Sequence, residues 1–106
     1  MDQAAALEAA KKYAALVRQL INPSKVILFG SYASGKFHEH SDIDVAVVME
    51  NVGADFFDLA VQLNQLTSSV DTRIEPVLLS AKNDPSGFLS SILQKGILIY
   101  DSGYPA

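Results

Sequence analysis

Cysteine is missing from the chain altogether. No disulfide framework, thiolate metal site or cysteine nucleophile can therefore be built. Basic charge is scarce as well: eight Lys and Arg stand against twelve Asp and Glu, for a net charge of -4. Affinity for long nucleic acids comes mainly from Lys and Arg displacing the counterions of the phosphate backbone, so a long DNA or RNA partner is not expected. Small nucleotides stay open, because a divalent cation and a few backbone N–H groups can handle a triphosphate without a basic surface. Long apolar runs are absent too, and none approaches the ~20 residues of a bilayer span. No basic segment leads into an apolar one at the N-terminus as in a signal peptide, and the expected location is the cytoplasm. A length of 106 residues suits one domain, residues 1–106, with no room for a separate substrate-binding domain.

What is present, 49% apolar against 19% charged residues, is a globular composition. From Asp2 to Ile21 the chain is Ala-rich, with Leu7, Ala10, Tyr13, Leu16, Val17 and Leu20 at helical spacing, and Asn22-Pro23 ends that helix. Lys25 to Phe29 reads as a short buried strand, and Gly30 marks a sharp turn. Asp42 to Met49 is a second strand. A second helix is expected from an N-cap at Asp55, with Phe56, Leu59, Ala60, Leu63 and Leu66 turned to the core and Thr67-Ser68-Ser69 closing it. Thr72 to Leu79 is a third strand, and Pro76 inside it argues for an edge or a bulge, since proline donates nothing to a ladder. Asp84-Pro85 offers a cap and a first helical residue for a third helix, whose buried stripe is Phe88, Leu89, Ile92 and Leu93. Gly96 is expected in the left-handed position after it. Ile97 to Tyr100 forms a last strand, and Asp101 to Ala106 reads as a frayed tail. The fold class is thus α/β in the α+β sense: a small mixed β-sheet flanked by helices.

The connection from Gly30 to Ser41 carries the unusual sequence, and long glycine-bearing connections are usually functional. Two phosphate-handling signatures overlap there. Gly30 to Lys36 reads G-x-x-x-x-G-K, close to a Walker A loop. Such a loop needs Ser or Thr directly after the lysine and a helix beginning there. Phe37 holds that place, His38-Glu39-His40-Ser41 shows no apolar stripe, and no apolar strand ending in Asp follows as a Walker B. Ser41 to Asp44 reads S-D-I-D, and this pattern accounts for more. Residues i and i+2 of a strand share a face, so Asp42 and Asp44 look the same way while Ile43 turns to the core. Carboxylates that close repel unless a cation lies between them, and Mg2+ takes such hard oxygens together with phosphate oxygens and water. An isolated D-x-D can equally be a strand cap and a solvated edge residue. Gly30-Ser31 upstream tips the balance, because a glycine directly after a buried strand lets an anion approach backbone N–H groups held rigidly.

Gly30-Ser31-Tyr32-Ala33, Gly35 and Ser41-Asp42-Ile43-Asp44-Val45-Ala46-Val47 resemble the signature of the minimal nucleotidyltransferases of the polymerase-beta-like superfamily. The family pattern is roughly G-S-x-A-R-G, a short spacer and S-D-I-D-L, and the element order agrees over nearly the whole chain. One departure is Ser34, where the family has arginine. Lys36 could restore the charge, though not a guanidinium fork. The resemblance implies a nucleotidyltransferase-like core in which Gly30, Ser31, Lys36 and Ser41 bind the nucleotide phosphates. It also implies Mg2+ at a two-metal site on Asp42, Asp44 and a third carboxylate, with ATP or another NTP as substrate. The third carboxylate comes from the next strand, where Glu75 is preferred over Asp71, which lies closer to the turn. In that role Glu75 takes the proton of the attacking hydroxyl. A small helical partner protein is implied, as in toxin–antitoxin pairs, and a homo-oligomer stays open. A rival reading is a binding module of the same fold that neutralises its partner by contact with little or no transfer.

Three further features have plain readings. His38 and His40 with no other histidine or cysteine cannot fill a tetrahedral zinc site, so they belong to a solvated loop. Tyr32 packs the loop on the core in preference to stacking on a nucleotide. Phe56, Phe57 and Leu59 are core first, with one face available to a partner.

Overall fold

The computed structural model describes residues 1–103. Helix α1 (Gln3–Leu20) starts where Asp2 accepts the Ala5 N–H at 2.8 Å, a side-chain N-cap. It buries Ala6, Ala9, Ala10, Tyr13, Ala14 and Val17. Four of these six are alanines, and of the expected leucines Leu7 and Leu16 are half-buried and Leu20 is 41% exposed. Strand β1 (Lys25–Phe29), a one-turn helix α2 (Ser31–Ser34) and strand β2 (Ile43–Met49) follow. Helix α3 (Phe56–Leu66), strand β3 (Ile74–Ser80), helix α4 (Phe88–Lys95) and strand β4 (Ile97–Asp101) complete the order.

The strands form one sheet in the order β3-β2-β1-β4, with β1 antiparallel to β2 and β4, and β2 parallel to β3. This is the expected mixed sheet flanked by helices. Pro76 lies in edge strand β3, opposite Val45, in an unbroken register. One face carries Val26, Leu28, Ile43, Val45, Val47, Ile74 and Leu78 against α1 and Leu63 of α3. Tyr13 donates its hydroxyl to the Leu63 carbonyl at 2.6 Å and so ties the two helices. The opposite face carries Ile27, Ala46 and Val48 under Leu89 and Ile92 of α4, with Phe29 and Leu79 beside them.

Several helical expectations need correction. In α3 only Leu63 is fully buried; Leu59 and Leu66 are half-buried against the same core, while Phe56 is 41% and Phe57 81% exposed. Asp55 sits before it with ψ 9°, not in the extended conformation that aims a capping side chain, and its carboxylate caps nothing. In α4 Leu89 and Ile92 are buried while Phe88 and Leu93 stay largely exposed. Asp84 does cap α4, accepting the Leu89 and Ser90 N–H groups at 2.9 and 3.0 Å, but Pro85 lies in the turn before the helix. These bonds, that from Leu89 first, hold the Asp84 carboxyl below its ordinary range. Asp101 is not frayed: it pairs with Lys25, and Ser102 N–H donates to the Ser24 carbonyl at 2.9 Å. The rest of the expected tail, residues 104–106, lies outside the described residues.

Gly96 is extended (φ -85°, ψ 173°), not left-handed. It is needed for closeness instead: a Cβ there would press on Ile27 Cγ2 and lie 2.7 Å from the Ile92 carbonyl oxygen and 2.9 Å from that of Leu28. Gly96→Ala is expected to destabilise by about 1–3 kcal/mol, the usual cost of overpacking. Thermal melting should show a Tm lower by several degrees, and an unchanged Tm would mean that α4 and β1 can move apart freely. No helix among the described residues is long and apolar enough to cross a membrane.

Candidate active site

The chain leaves β1 through Gly30, with φ 75° and ψ -149°, a conformation open essentially to glycine alone. Ser34 N–H returns to the Gly30 carbonyl at 3.1 Å and closes α2, and left-handed Gly35 (φ 80°) ends it. Lys36 N–H bonds the Ser31 carbonyl at 3.0 Å. The turn is anchored below by Tyr32, which is fully buried and stacked on Phe37 at 4.8 Å, and by Gln3, whose Nε2 donates to the Tyr32 carbonyl at 2.7 Å. Tyr32 thus packs the turn on the core. No helix starts after Lys36, so the Walker geometry is absent there.

Across the sheet, Phe29 faces Asp44 in the antiparallel ladder, and Asp44 faces Glu75 in the parallel one. Directly paired residues share a face with Cβ atoms about 5 Å apart. Asp44 also alternates with Ala46 and Val48, which places the row Phe29–Asp44–Glu75 on the face that carries α4. Gly30 touches this row: a Cβ on it would run into Asp44 Oδ2. The turn and the carboxylate are therefore in van der Waals contact.

Asp42 lies one residue before β2, exposed to solvent. Asp44 is half-buried, and its carboxyl is pushed above the ordinary range, first by burial and then by the negative charges of Asp42 and Glu75. The three carboxylates thus share one electrostatic neighbourhood in which negative charge is in excess, and a cation would relieve it. Among the described residues no three His, Asp or Glu side chains are drawn together as a closed metal-ligand cluster. The donor set still fits Mg2+, which is commonly held by one or two carboxylates plus substrate phosphate oxygens, not by an all-protein cage.

Asp71 is engaged elsewhere. Arg73 donates to it through Nε at 3.0 Å and Nη2 at 2.7 Å, and this pairing holds the Asp71 carboxyl below its ordinary range. Arg73 accordingly pairs with Asp71 and not with Glu75, which is exposed beside Asp44. Ser41 is buried and its Oγ accepts the His38 N–H at 2.8 Å, so it shapes the loop while its own O–H stays available. Lys36 is exposed on the same loop. His38 Nδ1 accepts the His40 N–H at 3.2 Å, a local loop contact. Sequence reasoning misses Phe88, whose ring meets Phe29 edge to face at 5.8 Å on the border of the carboxylate row. Nothing in the local pattern distinguishes it from a core residue. A hollow of about 420 Å³ lined by Asn22, Pro23, Ser24, Glu50, Tyr100 and Ser102 lies at the other end of the strands and includes none of these groups.

Solved structures of the same fold include a candidate nucleotidyltransferase from Sulfolobus solfataricus, with a TM-score of 0.69 at 20% identity, covering 94% of this chain and 84% of that one. A toxin–antitoxin complex with AMP-PNP matches with a TM-score of 0.66 at 24% identity over 88% of this chain and 74% of its own. The toxin–antitoxin MntA–HpeT, in a mutant with two Asp→Glu changes, gives 0.65 at 23% identity over 87% and 73%. No curated protein matches the chain significantly. The model of the family described as polymerase beta, nucleotidyltransferase matches residues 11–103, and the chain belongs to that family.

Proposed function

We propose that the chain is a Mg2+-dependent nucleotidyltransferase that passes a nucleotidyl group, AMP from ATP, to a hydroxyl of a partner protein. One observation carries this reading: Gly30 lies against Asp44, with Glu75 paired beside it, so an anion-accepting turn and the carboxylates form a single surface. Gly30 and Ser31 receive the triphosphate on backbone N–H groups, with Lys36 and Ser41 on the same loop as further donors. Asp42, Asp44 and Glu75 would hold Mg2+, which when bound offsets the charge of the carboxylates and of the phosphates. Glu75, exposed at the edge strand, takes the proton of the acceptor hydroxyl. The hydroxyl oxygen bonds to the α-phosphorus, the bond from there to the β-phosphate oxygen breaks, and pyrophosphate leaves.

Support for a nucleotide and a protein partner comes from the neighbours of the same fold, one crystallised with AMP-PNP and two described as toxin–antitoxin assemblies. The aspartates changed in the MntA–HpeT mutant are two residues apart, the spacing of Asp42 and Asp44. A small helical partner fits a domain whose α3 leaves Phe57 and Val61 outside, since contiguous exposed apolar surface marks interaction sites. Ser34 in the place of the family arginine favours a second reading, a binding module that acts by contact alone. Incubation with labelled ATP, Mg2+ and candidate partners is expected to label the partner and release pyrophosphate. The transfer reading fails if no label moves. Melting separates the two readings: for a catalyst Tm rises only with Mg2+ and nucleotide together, by linkage to the folded state, and the rise disappears in Asp42→Asn. Indifference to both ligands is the outcome expected of a contact module.

A further inference from the structure

The carboxylate row ends in an aromatic surface, and the reaction above assigns it no role. Phe29 is the last residue of β1 and shares a face and a rung with Asp44. Phe88, at the first position of α4, stands edge to face on Phe29 at 5.8 Å and is 43% exposed. α4 crosses β1 so that its first residue lies at the Gly30 end of the strand, while Gly96 just after it lies against Ile27 and Leu28. An apolar ring thus borders the turn and the carboxylates on one side, and Glu75 borders them on the other.

Other aromatic rings among the described residues are placed differently. Tyr13 and Tyr32 are fully buried, and Phe37 is stacked on Tyr32 against the opposite core. Phe56 and Phe57 belong to α3, which covers the face away from Asp44. Tyr100 lies under Arg18, 4.1 Å from its ring, beside the hollow at the far end. Among the described residues Phe88 is therefore the aromatic group that offers the most open ring surface on the carboxylate side. A nucleoside triphosphate whose phosphates occupy the Gly30 turn has one planar apolar part, its base. Stacking on an aromatic side chain is open to every base, because each has a π-face.

We infer that Phe88, braced by Phe29, is the nucleobase subsite of this domain, a stacking platform that takes the base of the incoming nucleotide without reading its identity. The inference rests on the nucleotidyltransferase reading and adds a specific contact to it. Its test compares ATP with inorganic tripolyphosphate, each with Mg2+, by calorimetric titration of wild type, Phe88→Ala and Phe88→Trp. Wild type should bind ATP more tightly than tripolyphosphate. Phe88→Ala should weaken ATP about tenfold, the scale of one lost base–aromatic stack, and leave tripolyphosphate unchanged. Phe88→Trp should keep ATP affinity. Because the chain has no other tryptophan, ATP and not tripolyphosphate should quench its emission. Equal binding of ATP and tripolyphosphate by wild type, or unweakened ATP binding in Phe88→Ala, overturns the subsite and leaves the transfer reading standing. Failure of wild type to bind either ligand overturns both. Loss of affinity for the acceptor protein with ATP binding intact would assign the ring to the acceptor and also overturn the proposal.

Discussion

Asp44→Asn is expected to lose about three orders of magnitude in transfer rate while melting no lower than wild type at neutral pH. The rate follows from the position of Asp44 at the meeting point of turn and ladder. Charge stabilisation through a bound metal is worth several kcal/mol, and each 1.36 kcal/mol is a factor of ten. The stability follows from electrostatics. Burial, Asp42 and Glu75 all raise the Asp44 carboxyl above its ordinary range. A folded state that holds the proton more tightly than the unfolded chain is stabilised by acid, so this contribution falls as pH rises through the Asp44 titration. At neutral pH the ionised group works against folding, and the neutral amide removes that opposition. Melting curves should show the variant equal or higher at pH 7, with the gap closing as pH drops into the carboxyl range. Mg2+ together with nucleotide should raise wild type and narrow the gap at neutral pH. Transfer within about tenfold of wild type, or a variant clearly less stable at pH 7, would remove Asp44 from the centre of the site.

The pairing of loss and gain separates a functional acid from a structural one. Asp84 and Asp71 are held below the ordinary range, Asp84 chiefly by the Leu89 N–H and Asp71 chiefly by the Arg73 side chain. Their ionised forms support the fold, and that support is lost as pH falls through their folded titration. Asp44 has the opposite sign. Carboxyls raised in this way cluster at functional sites, which is why Asp44, and not Asp71 or Asp84, is proposed for the metal.

Much of the sheet was legible because strand signals are local. Gly30, Pro76 and the alternation around Asp42 to Val48 mark turn, edge and face from a few neighbouring residues. Register was not legible. Alternation says that Asp44 and Ala46 share a face, but not that Phe29 and Glu75 lie on either side of Asp44. That pairing is settled by long-range packing, as is the contact between Gly30 and Asp44. Helix faces were legible only in part, because an apolar stripe shows that something is buried and not which side chains are. In α1 four alanines are buried with Tyr13 and Val17, while Leu7, Leu16 and Leu20 beside them are not. In α3 and α4 the apolar stripe is wider than the side that meets the sheet, which leaves Phe57 and Phe88 largely exposed beside buried Leu63 and Leu89. Gly96 shows the same limit: glycine after a helix suggests a left-handed cap, and here the requirement is room for Ile27 and two carbonyls.

Gly30→Ala carries the second large effect, and it tests the contact on which the site depends. The methyl group meets two obstacles. The backbone at φ 75°, ψ -149° is closed to alanine, which costs about 1–3 kcal/mol if the turn is held. Asp44 Oδ2 occupies the place the Cβ would take, and Asp44 Cβ stands 3.3 Å from it. Relief requires Asp44 to swing away or β1 and β2 to part, and either change separates the carboxylate from the turn. Misplacement of about 1 Å can cost 100-fold in rate, and a loss of that order is expected along with a lowered Tm. Asp44→Ala removes the carboxylate and leaves only the 3.3 Å contact, so it should relieve the clash but not the backbone strain. The stability changes of Gly30→Ala and Asp44→Ala should therefore depart from additivity in the double variant, which should be more stable than their sum by about 0.5–3 kcal/mol, as for residues in direct contact. Strict additivity would mean that the turn and the carboxylate do not meet in solution. The Gly30 turn and the acid row would then be two separate features, not one surface.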